Sequence, residues 1–462
     1  MNGSVLHIAV VGHTNTGKTS LLRTLTRNAR FGQVDDNPGT TRHVEGARLS
    51  IDGAAVLEWF DTPGMEDSIA LREYVEQLCS PDPRLDGPAQ VQRFLDSPEA
   101  HRRFEQEARV LEKMQTVDAA LYVIDARDPV WSKHLDELAL LAACGKPLLP
   151  VLNFVQGTQH RAEQWRGALA RLGLHAQVEF DTIAPPLDGE AQLYGKLAVL
   201  LDRHAEALSR LVQDLGEQRR MRRQTARRLT AELLVDVAAL RLSSAGDAAA
   251  EEETARRLRG SVRQREQGCV DALLALYNFR REDYAEDTLP LSDQRWGMDL
   301  FHPQTLKNMG VQLGVGAAAG AVAGAAVDLF TAGLSLGAGM LIGAAAGGLW
   351  QGVDRFGKRM AGRVRGHREL TVDDAVLRLL ALRQGLLIQA LERRGHAARQ
   401  PVAIAQPGDE AWRKHPLPDE IQEARSRPEW SALTPGYADD ARRKIVIAAL
   451  AARLEQTQNP PP

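Results

Sequence analysis

Residues 12–20 read Gly-His-Thr-Asn-Thr-Gly-Lys-Thr-Ser and follow directly on the apolar run Ile8-Ala9-Val10-Val11. A strand that ends in Gly12, four intervening residues, Gly17-Lys18-Thr19 and then the helix-forming Ser20-Leu21-Leu22-Arg23-Thr24-Leu25 make a phosphate-binding loop. Its glycines let successive backbone N–H groups converge on an anion at a helix N-terminus, where unpaired donors and the helix dipole both favour negative charge. Lys18 supplies a point charge between β- and γ-phosphates, and the Thr19 hydroxyl ligates Mg²⁺. Gly12, Asn15, Thr16, Gly17, Lys18, Thr19 and Ser20 are the expected cradle of the phosphates.

The chain around this loop is organised in parts. Its 462 residues exceed one ordinary domain. Up to about residue 205, the short apolar runs at 7–12, 55–60, 119–125, 147–153 and 176–180 alternate with polar stretches of helical length, the pattern of an α/β domain with a mostly parallel sheet. Beyond residue 205 no strand pattern is evident and long helices are expected, giving an all-α C-terminal region. The expected divisions are an α/β head at 1–205, a helical region at 206–308, a Gly/Ala-rich apolar block at 309–352 and a further helical region at 353–462. Leu229, Leu233, Val237 and Leu240 form one helical stripe. Another helix is expected from Thr371, opened by Thr371-x-x-Asp374, to Gly395, with a Pro-rich connector at 398–436 and a last amphipathic helix after it.

Composition excludes some classes of partner. With 57 Lys+Arg against 60 Asp+Glu there is no global pull toward nucleic acid. Cys79, Cys144 and Cys269 are odd in number and widely spaced, which fits inert thiols in a reducing compartment. The first residues read as a strand rather than a secretory leader, so the chain is expected to start in the cytoplasm. No His and Cys spacing suited to a transition metal is present.

Two further motifs lie downstream of the loop. Asp61-Thr62-Pro63-Gly64 closes the run 55–60, so that Asp61 can hold Mg²⁺ through water and the Gly64 N–H can meet the γ-phosphate. Between them stands Asn37-Pro38-Gly39-Thr40-Thr41-Arg42, in the loop before Gly46-Ala47-Arg48-Leu49-Ser50. With these three motifs in order, the sequence resembles the Era/MnmE/EngA group of P-loop GTPases, whose first switch carries a Gly-x-Thr-Arg signature. The resemblance implies GTP as ligand, Mg²⁺ held by Thr19, Asp61 and Thr41, and closure of Thr41 over the metal in the triphosphate state.

It also bears on the chemistry. Met65 stands where Ras-like switches place a water-orienting glutamine, and a thioether cannot polarise water. Members of the resembled group likewise carry a hydrophobic residue there, and in the potassium-activated ones an Asn of the loop binds a monovalent cation in place of an arginine finger. Asn15 occupies that position, so K⁺ is a candidate activator, with a plain loop-capping Asn as the alternative. Lys18, Asn15, Thr41 and Gly64 form the expected catalytic set, and pairing of two heads into a homodimer could hold the Thr41 loop closed. Glu66 and Asp67 are either water-orienting carboxylates or solvated loop charges.

The base site departs from the resembled pattern. Asn153 ends the run 147–153 where Asn-Lys-x-Asp belongs, yet Phe154, Val155 and Gln156 follow. A Gln offers one acceptor oxygen where an Asp would take both guanine N1–H and N2–H₂, so guanine is favoured by lineage, with a relaxed or adenine preference as the alternative. Phe154 could cover the base, and Asp181-Thr182-Ile183-Ala184 is a loose echo of the usual small-residue loop. Residues 65–118, long for a second switch, read as a surface insertion or as a partner-binding lid.

The block at 309–352 has glycines at four-residue spacing, Gly316, Gly320, Gly324 and Gly339, Gly343, Gly347, which let helices approach closely in lipid. Asp328 divides it into two arms, and the basic residues Arg355, Lys358, Arg359, Arg363, Arg365 and Arg368 follow Trp350. A hairpin inserted from the cytoplasmic side of a bacterial inner membrane, with lipid as partner, is one expectation; a buried soluble hairpin is the other. Arg219, Arg220, Arg222, Arg223, Arg227 and Arg228 form a basic helical stretch, balanced in part by Glu251 to Glu253 or left to contact anionic lipid or RNA. It lacks interleaved aromatics, which disfavours single-stranded nucleic acid.

The whole layout looks like a bacterial GTPase family with a C-terminal domain of unknown function. Three functions fit: a membrane-tethered GTPase switch, a dynamin-like membrane remodeller, and a soluble Era-like GTPase associated with ribosome or RNA.

Overall fold

The computed structural model describes residues 5–26, 45–51, most of 54–279, 334–336, 368–393 and 416–458, with a few positions between 291 and 305. The chain divides into two units, the first built on Met1–Arg219 with two short later segments, and the second on Arg220–Arg281, Glu286–Leu391 and Pro401–Pro462.

The first unit is centred on a six-stranded sheet of order β2-β3-β1-β4-β5-β6. Its strands are β1 (Leu6–Val11), β2 (Glu45–Ile51), β3 (Ala54–Asp61), β4 (Ala119–Asp125), β5 (Leu148–Asn153) and β6 (Val178–Glu179). β2 runs antiparallel to β3, and the other pairings are parallel. Every residue of β4 and β5 is buried, as expected of parallel strands covered on both faces by helices. On one face α1 (Lys18–Thr26) and α7 (Gly189–Leu200) bring Leu21, Leu22, Leu25, Leu193 and Leu197 against Ile8, Val10, Leu121 and Val151. The opposite face is covered by α2 (Ser68–Cys79), α3 (Gly87–Leu95), α4 (Glu105–Thr116), α5 (Ser132–Ala143) and α6 (Ala162–Arg171).

Helices α3 and α4 correct the expectation of a surface insertion. Val91, Phe94, Leu95, Phe104, Val110, Leu111 and Met114 are all buried in the core beneath the sheet. At roughly 1.5–3 kcal/mol for each large apolar side chain taken out of water, the segment is part of what holds the unit together. Its Pro-punctuated start is the entry to a helix: the Asp86 carboxylate accepts from the Ala89 N–H at 3.0 Å. Gly87 is required because a Cβ there would lie 2.5 Å from the Ala143 carbonyl oxygen at the end of α5. The periodic apolar positions signal helices, but only the assembled fold shows that their stripes face inward.

The second unit is mainly helical: the later turns of α8 (Ala205–Ala239), then α9 (Ala248–Leu276), α10 (Asp374–Arg393), α11 (Asp419–Ser426) and α12 (Ala441–Gln458). From Leu233 to Leu240 every residue is buried, so this end is a core helix rather than one with a single apolar stripe. Asp236 on α8 accepts from Arg265 on α9 and Arg443 on α12, each at 2.8 Å, which joins three helices through one buried carboxylate. Arg383 pairs with Glu266 at 3.1 Å, and burial pushes that carboxyl up while the guanidinium opposes the shift.

Strands do not stop at residue 205. β7 (Arg241–Ser244), β10 (Leu334–Leu336) and β11 (Arg368–Val372) form an antiparallel sheet of order β10-β11-β7, and β8 (Leu291–Ser292) pairs with β9 (Arg295–Trp296). Short segments next to helices carry too few residues for a period-two pattern to stand out. Thr371 therefore lies in a strand and does not cap α10, whose first N–H groups are met by Asp373. Of the connector expected at 398–436, the described residues 416–436 contain α11 and the 3-10 turn Pro428–Trp430, with Trp430 fully buried.

The Gly/Ala-rich block lies outside the described residues except for β10. Leu334 pairs with Val372 and Leu336 with Leu370. The second arm drawn from the sequence is thus not one uninterrupted helix; Leu-Ser-Leu alternates as a strand does, a signal hidden by the surrounding small residues. Among the described residues, no helix is long and apolar enough to cross a membrane. The basic stretch lies on α8, where Arg227 is buried and pairs with Glu455 at 2.7 Å. Glu251, Glu252 and Glu253 pair instead with Arg368, Arg259 and Arg256.

Candidate functional site

The loop between β1 and α1 is built on left-handed backbone. Gly12 and Gly17 have φ of 141° and 92°, and Asn15 has φ of 64°. An Asn side chain tolerates that region better than most. Lys18 begins α1 and is buried, and its ammonium donates to the Gly12 and His13 carbonyl oxygens at 3.1 and 2.7 Å. Burial pulls its pKa down, while the Asp61 and Glu137 carboxylates push the other way. A buried ammonium gripped by its own loop at a helix N-terminus is a cation set where a phosphate gains most from it. Thr16 donates from its hydroxyl to the His13 carbonyl at 3.0 Å, and the Ser20 carbonyl accepts from Thr24 at 3.0 Å.

β3 brings Asp61, fully buried, beside the loop, and the Thr19 hydroxyl donates to its Oδ2 at 2.5 Å. A hydroxyl and one carboxylate are hard oxygen donors that suit Mg²⁺ completed by phosphate and water, so the residues present fit that ion. Gly64 follows after the Thr62 hydroxyl anchors to the Val10 carbonyl at 2.8 Å. A Cβ at Gly64 would lie 2.7 Å from Thr14 Cα, so only glycine lets this turn lie on the phosphate loop. Met65 is fully buried and forms a parallel bridge with His13. It faces the core, not the phosphates. Thr41 and the rest of the first-switch signature lie outside the described residues.

Asn153 closes the site from β5. Its amide donates to the Thr16 carbonyl at 2.9 Å, and its oxygen accepts from the Phe154 and Thr182 N–H groups at 2.9 and 3.0 Å. One side chain thereby joins the phosphate loop to the loops after β5 and β6. A Cβ on Gly17 would collide with the Asn153 amide. Phe154, at φ 57°, turns its ring toward Gly17 on one side and takes the Arg127 guanidinium at 4.1 Å. Gln156 holds no base-reading carboxylate, yet its N–H donates to buried Asp181 at 2.9 Å, and Asp181 also accepts from the Ile183 N–H at 2.9 Å. In sequence Asp181 is only a loose echo of a small-residue loop; here it ties together the loops after β5 and β6.

A polar chain beneath the loop went unread in the sequence. His13 Nδ1 lies 2.6 Å from Glu137, Glu137 accepts from the Tyr122 hydroxyl at 2.7 Å, and Lys133 Nζ lies 2.8 Å from His13 Nε2. Glu137 has no exposed surface. With Nδ1–H donating to Glu137, Nε2 is the acceptor for Lys133, which fixes the tautomer. A Glu inside a helical stripe of leucines was the available signal. It could not be matched to its partners before the fold brought them together. Among the described residues no cluster of three or more His, Cys, Asp or Glu is arranged for a metal. All three cysteines are buried and free, with burial pushing Cys144 and Cys269 up to about 12.

Two families match successive parts of the chain. Residues 7–154 match the family described as "50S ribosome-binding GTPase", and residues 166–452, more than half of the chain, match the "domain of unknown function (DUF3482)". GTPase Der of Geobacter sp. (strain M21) is 29% identical over 157 residues, which are 34% of this chain and 28% of Der. The tRNA modification GTPase MnmE of Myxococcus xanthus (strain DK1622) is 44% identical over 61 residues, 13% of each chain. Era of Aquifex aeolicus, solved with GDP and AlF4⁻, covers 38% of this chain and 51% of its own, at 18% identity and a TM-score of 0.28. The matched region spans little more than a quarter of Der and about an eighth of MnmE. The chain belongs to the DUF3482 family, and its residues 7–154 are a P-loop GTPase domain homologous to those of Der and MnmE.

Proposed function

We propose that this protein binds guanine nucleotide with Mg²⁺, hydrolyses GTP slowly, and acts as a switch. The observation that carries this is the Thr19–Asp61 contact of 2.5 Å beside the buried Lys18 ammonium, which gathers two oxygen donors and one cation at a helix N-terminus. Mg²⁺, when bound, neutralises charge on the β- and γ-phosphates. On binding, Lys18 would exchange its two carbonyl partners for phosphate oxygens, and the Gly64 N–H would meet the γ-phosphate. Because Met65 is buried in the core, no side chain at that position orients water. Slow turnover is the consequence, with K⁺ held near Asn15, and pairing of two heads, as the means of raising it. Calorimetry with GDP and a non-hydrolysable GTP analogue, with and without Mg²⁺, tests the reading. Failure of the intact protein to bind either nucleotide would sink it.

The switch is assigned to the cytoplasmic face of a bacterial inner membrane, through lipid contact of the block at 309–352 and the basic residues that follow it. A second reading is favoured by the pairing of Leu334–Leu336 with Arg368–Val372: the block then packs in the second unit, and the protein is a soluble GTPase that binds the large ribosomal subunit, as its first family's description has it. Flotation with vesicles of anionic lipid separates the two. Recovery of the protein wholly in the unbound fraction, and with 50S particles in a gradient, would favour the second.

A further inference from the structure

The turn that carries Gly64 is held from both sides. Before it, the Thr62 hydroxyl is fixed to the Val10 carbonyl at 2.8 Å. After it, the N–H groups of Glu66 and Asp67 both donate to one oxygen of Glu107, at 2.9 and 3.0 Å. Glu107 lies on α4, far along the chain, and is only 4% exposed. Its neighbours Ala108, Val110, Leu111 and Met114 are buried in the core, so the carboxylate is carried by a rigid support. Arg103 reaches Asp67 at 3.6 Å from the same segment, and Ser68 donates to the Lys133 carbonyl at 2.8 Å.

A carboxylate accepting two backbone N–H groups at the start of α2 does two things. It satisfies donors that an N-terminal turn leaves open, and it puts negative charge at the positive end of the helix dipole. Both effects fix the two peptide planes that flank Glu66, directly after Met65. Preorganised backbone donors are what stabilise charge on a transferring phosphoryl group, and a supporting residue sets their aim. Glu66 and Asp67 contribute their backbone to this arrangement, whatever their side chains do.

We propose that Glu107 is a positioning residue for triphosphate recognition and hydrolysis. By clamping the 66–67 backbone to α4 it aims the Gly64 N–H at the γ-phosphate, and it couples the α3–α4 segment to the nucleotide state. The proposal rests on the GTPase reading of the site given above.

The test compares intact wild-type protein with Glu107→Ala and Glu107→Gln, using GDP and a non-hydrolysable GTP analogue. Glu107→Ala is expected to keep GDP affinity within about threefold, to lose roughly tenfold in analogue affinity, and to lower kcat by about ten- to a hundredfold. Glu107→Gln keeps an acceptor oxygen and should recover most of the analogue-to-GDP ratio. A purely structural role would lower the melting temperature and leave that ratio and the kcat of folded enzyme unchanged, and that outcome overturns the proposal. Should Glu107→Ala not fold, hydrogen exchange on wild-type protein decides: the 65–69 backbone and α4 are expected to exchange more slowly with analogue than with GDP, and equal exchange overturns it. Wild-type protein that binds neither nucleotide would instead defeat the GTPase reading itself.

Discussion

Thr19 and Asp61, forty-two positions apart, meet through a hydroxyl–carboxylate hydrogen bond of 2.5 Å that ties the start of α1 to the end of β3. β1 and β3 pair in parallel register, Val10 beside Asp61, so the phosphate loop and the carboxylate leave the same edge of the sheet. Mg²⁺ would be held there by the Thr19 hydroxyl and, through water, by the Asp61 carboxylate, in place of this hydrogen bond. Asp61→Ala should therefore abolish the Mg²⁺ dependence of triphosphate binding and reduce turnover by at least about a hundredfold, measured by phosphate release across a Mg²⁺ titration.

Lys18→Ala removes the one side-chain cation that the loop motif supplies to the phosphates. Nucleotide affinity should fall by on the order of a hundredfold or more, since the site then asks a phosphate to shed its water for backbone donors alone. Calorimetry checks it, and undiminished binding by the variant would mean that the ligand sits elsewhere.

Asn15 lies in left-handed backbone at φ 64°, so its replacement by Gly keeps the loop shape while removing the side chain. If K⁺ acts through Asn15, wild-type turnover rises in KCl over NaCl at equal ionic strength, and Asn15→Gly loses that difference with nucleotide affinity largely intact. Equal turnover in both salts would assign the missing charge to a partner's arginine.

Base selectivity should be weaker than a site with a dedicated carboxylate achieves, because Gln156 offers a single acceptor and Asp181 is engaged by the Gln156 and Ile183 backbone. Competition of ATP against labelled GTP measures it. Asp181→Ala should loosen both base-flanking loops and lower affinity for either nucleotide by about tenfold. Complete exclusion of ATP by the wild type would show that guanine is read by another group.

His134 is buried at the start of α5, beside His13 and Trp165, and its pKa is lowered from 6.5 to about 4, by burial first and then by His13 and Lys133. The folded protein resists protonation that the unfolded chain accepts, so this contribution is fully present above pH 6.5 and is lost as pH falls toward about 4. The loss is on the order of 2–3 kcal/mol. Urea midpoints at pH 7 and pH 5 should differ less in His134→Gln than in the wild type; parallel shifts in both would place the acid sensitivity elsewhere.

Local signals explain what was legible in one dimension. Gly12 to Ser20, Asp61 to Gly64 and the buried runs that became β1, β3, β4 and β5 each need only a short stretch whose backbone geometry and hydrophobic period are set by its own residues. From these the α/β head and the P-loop between β1 and α1 followed. Met65 was legible as a residue that cannot handle water, but its burial against His13 was not. Tertiary structure alone decided that Glu107 grips the turn after Gly64, that His13, Glu137, Tyr122 and Lys133 form one chain, and that Leu334 to Leu336 enter a sheet. The physical reason is common to all three. A buried carboxylate or an edge strand has no preferred partner along its own segment, and its partners are fixed only when packing of remote elements excludes water and leaves those groups one another to bond.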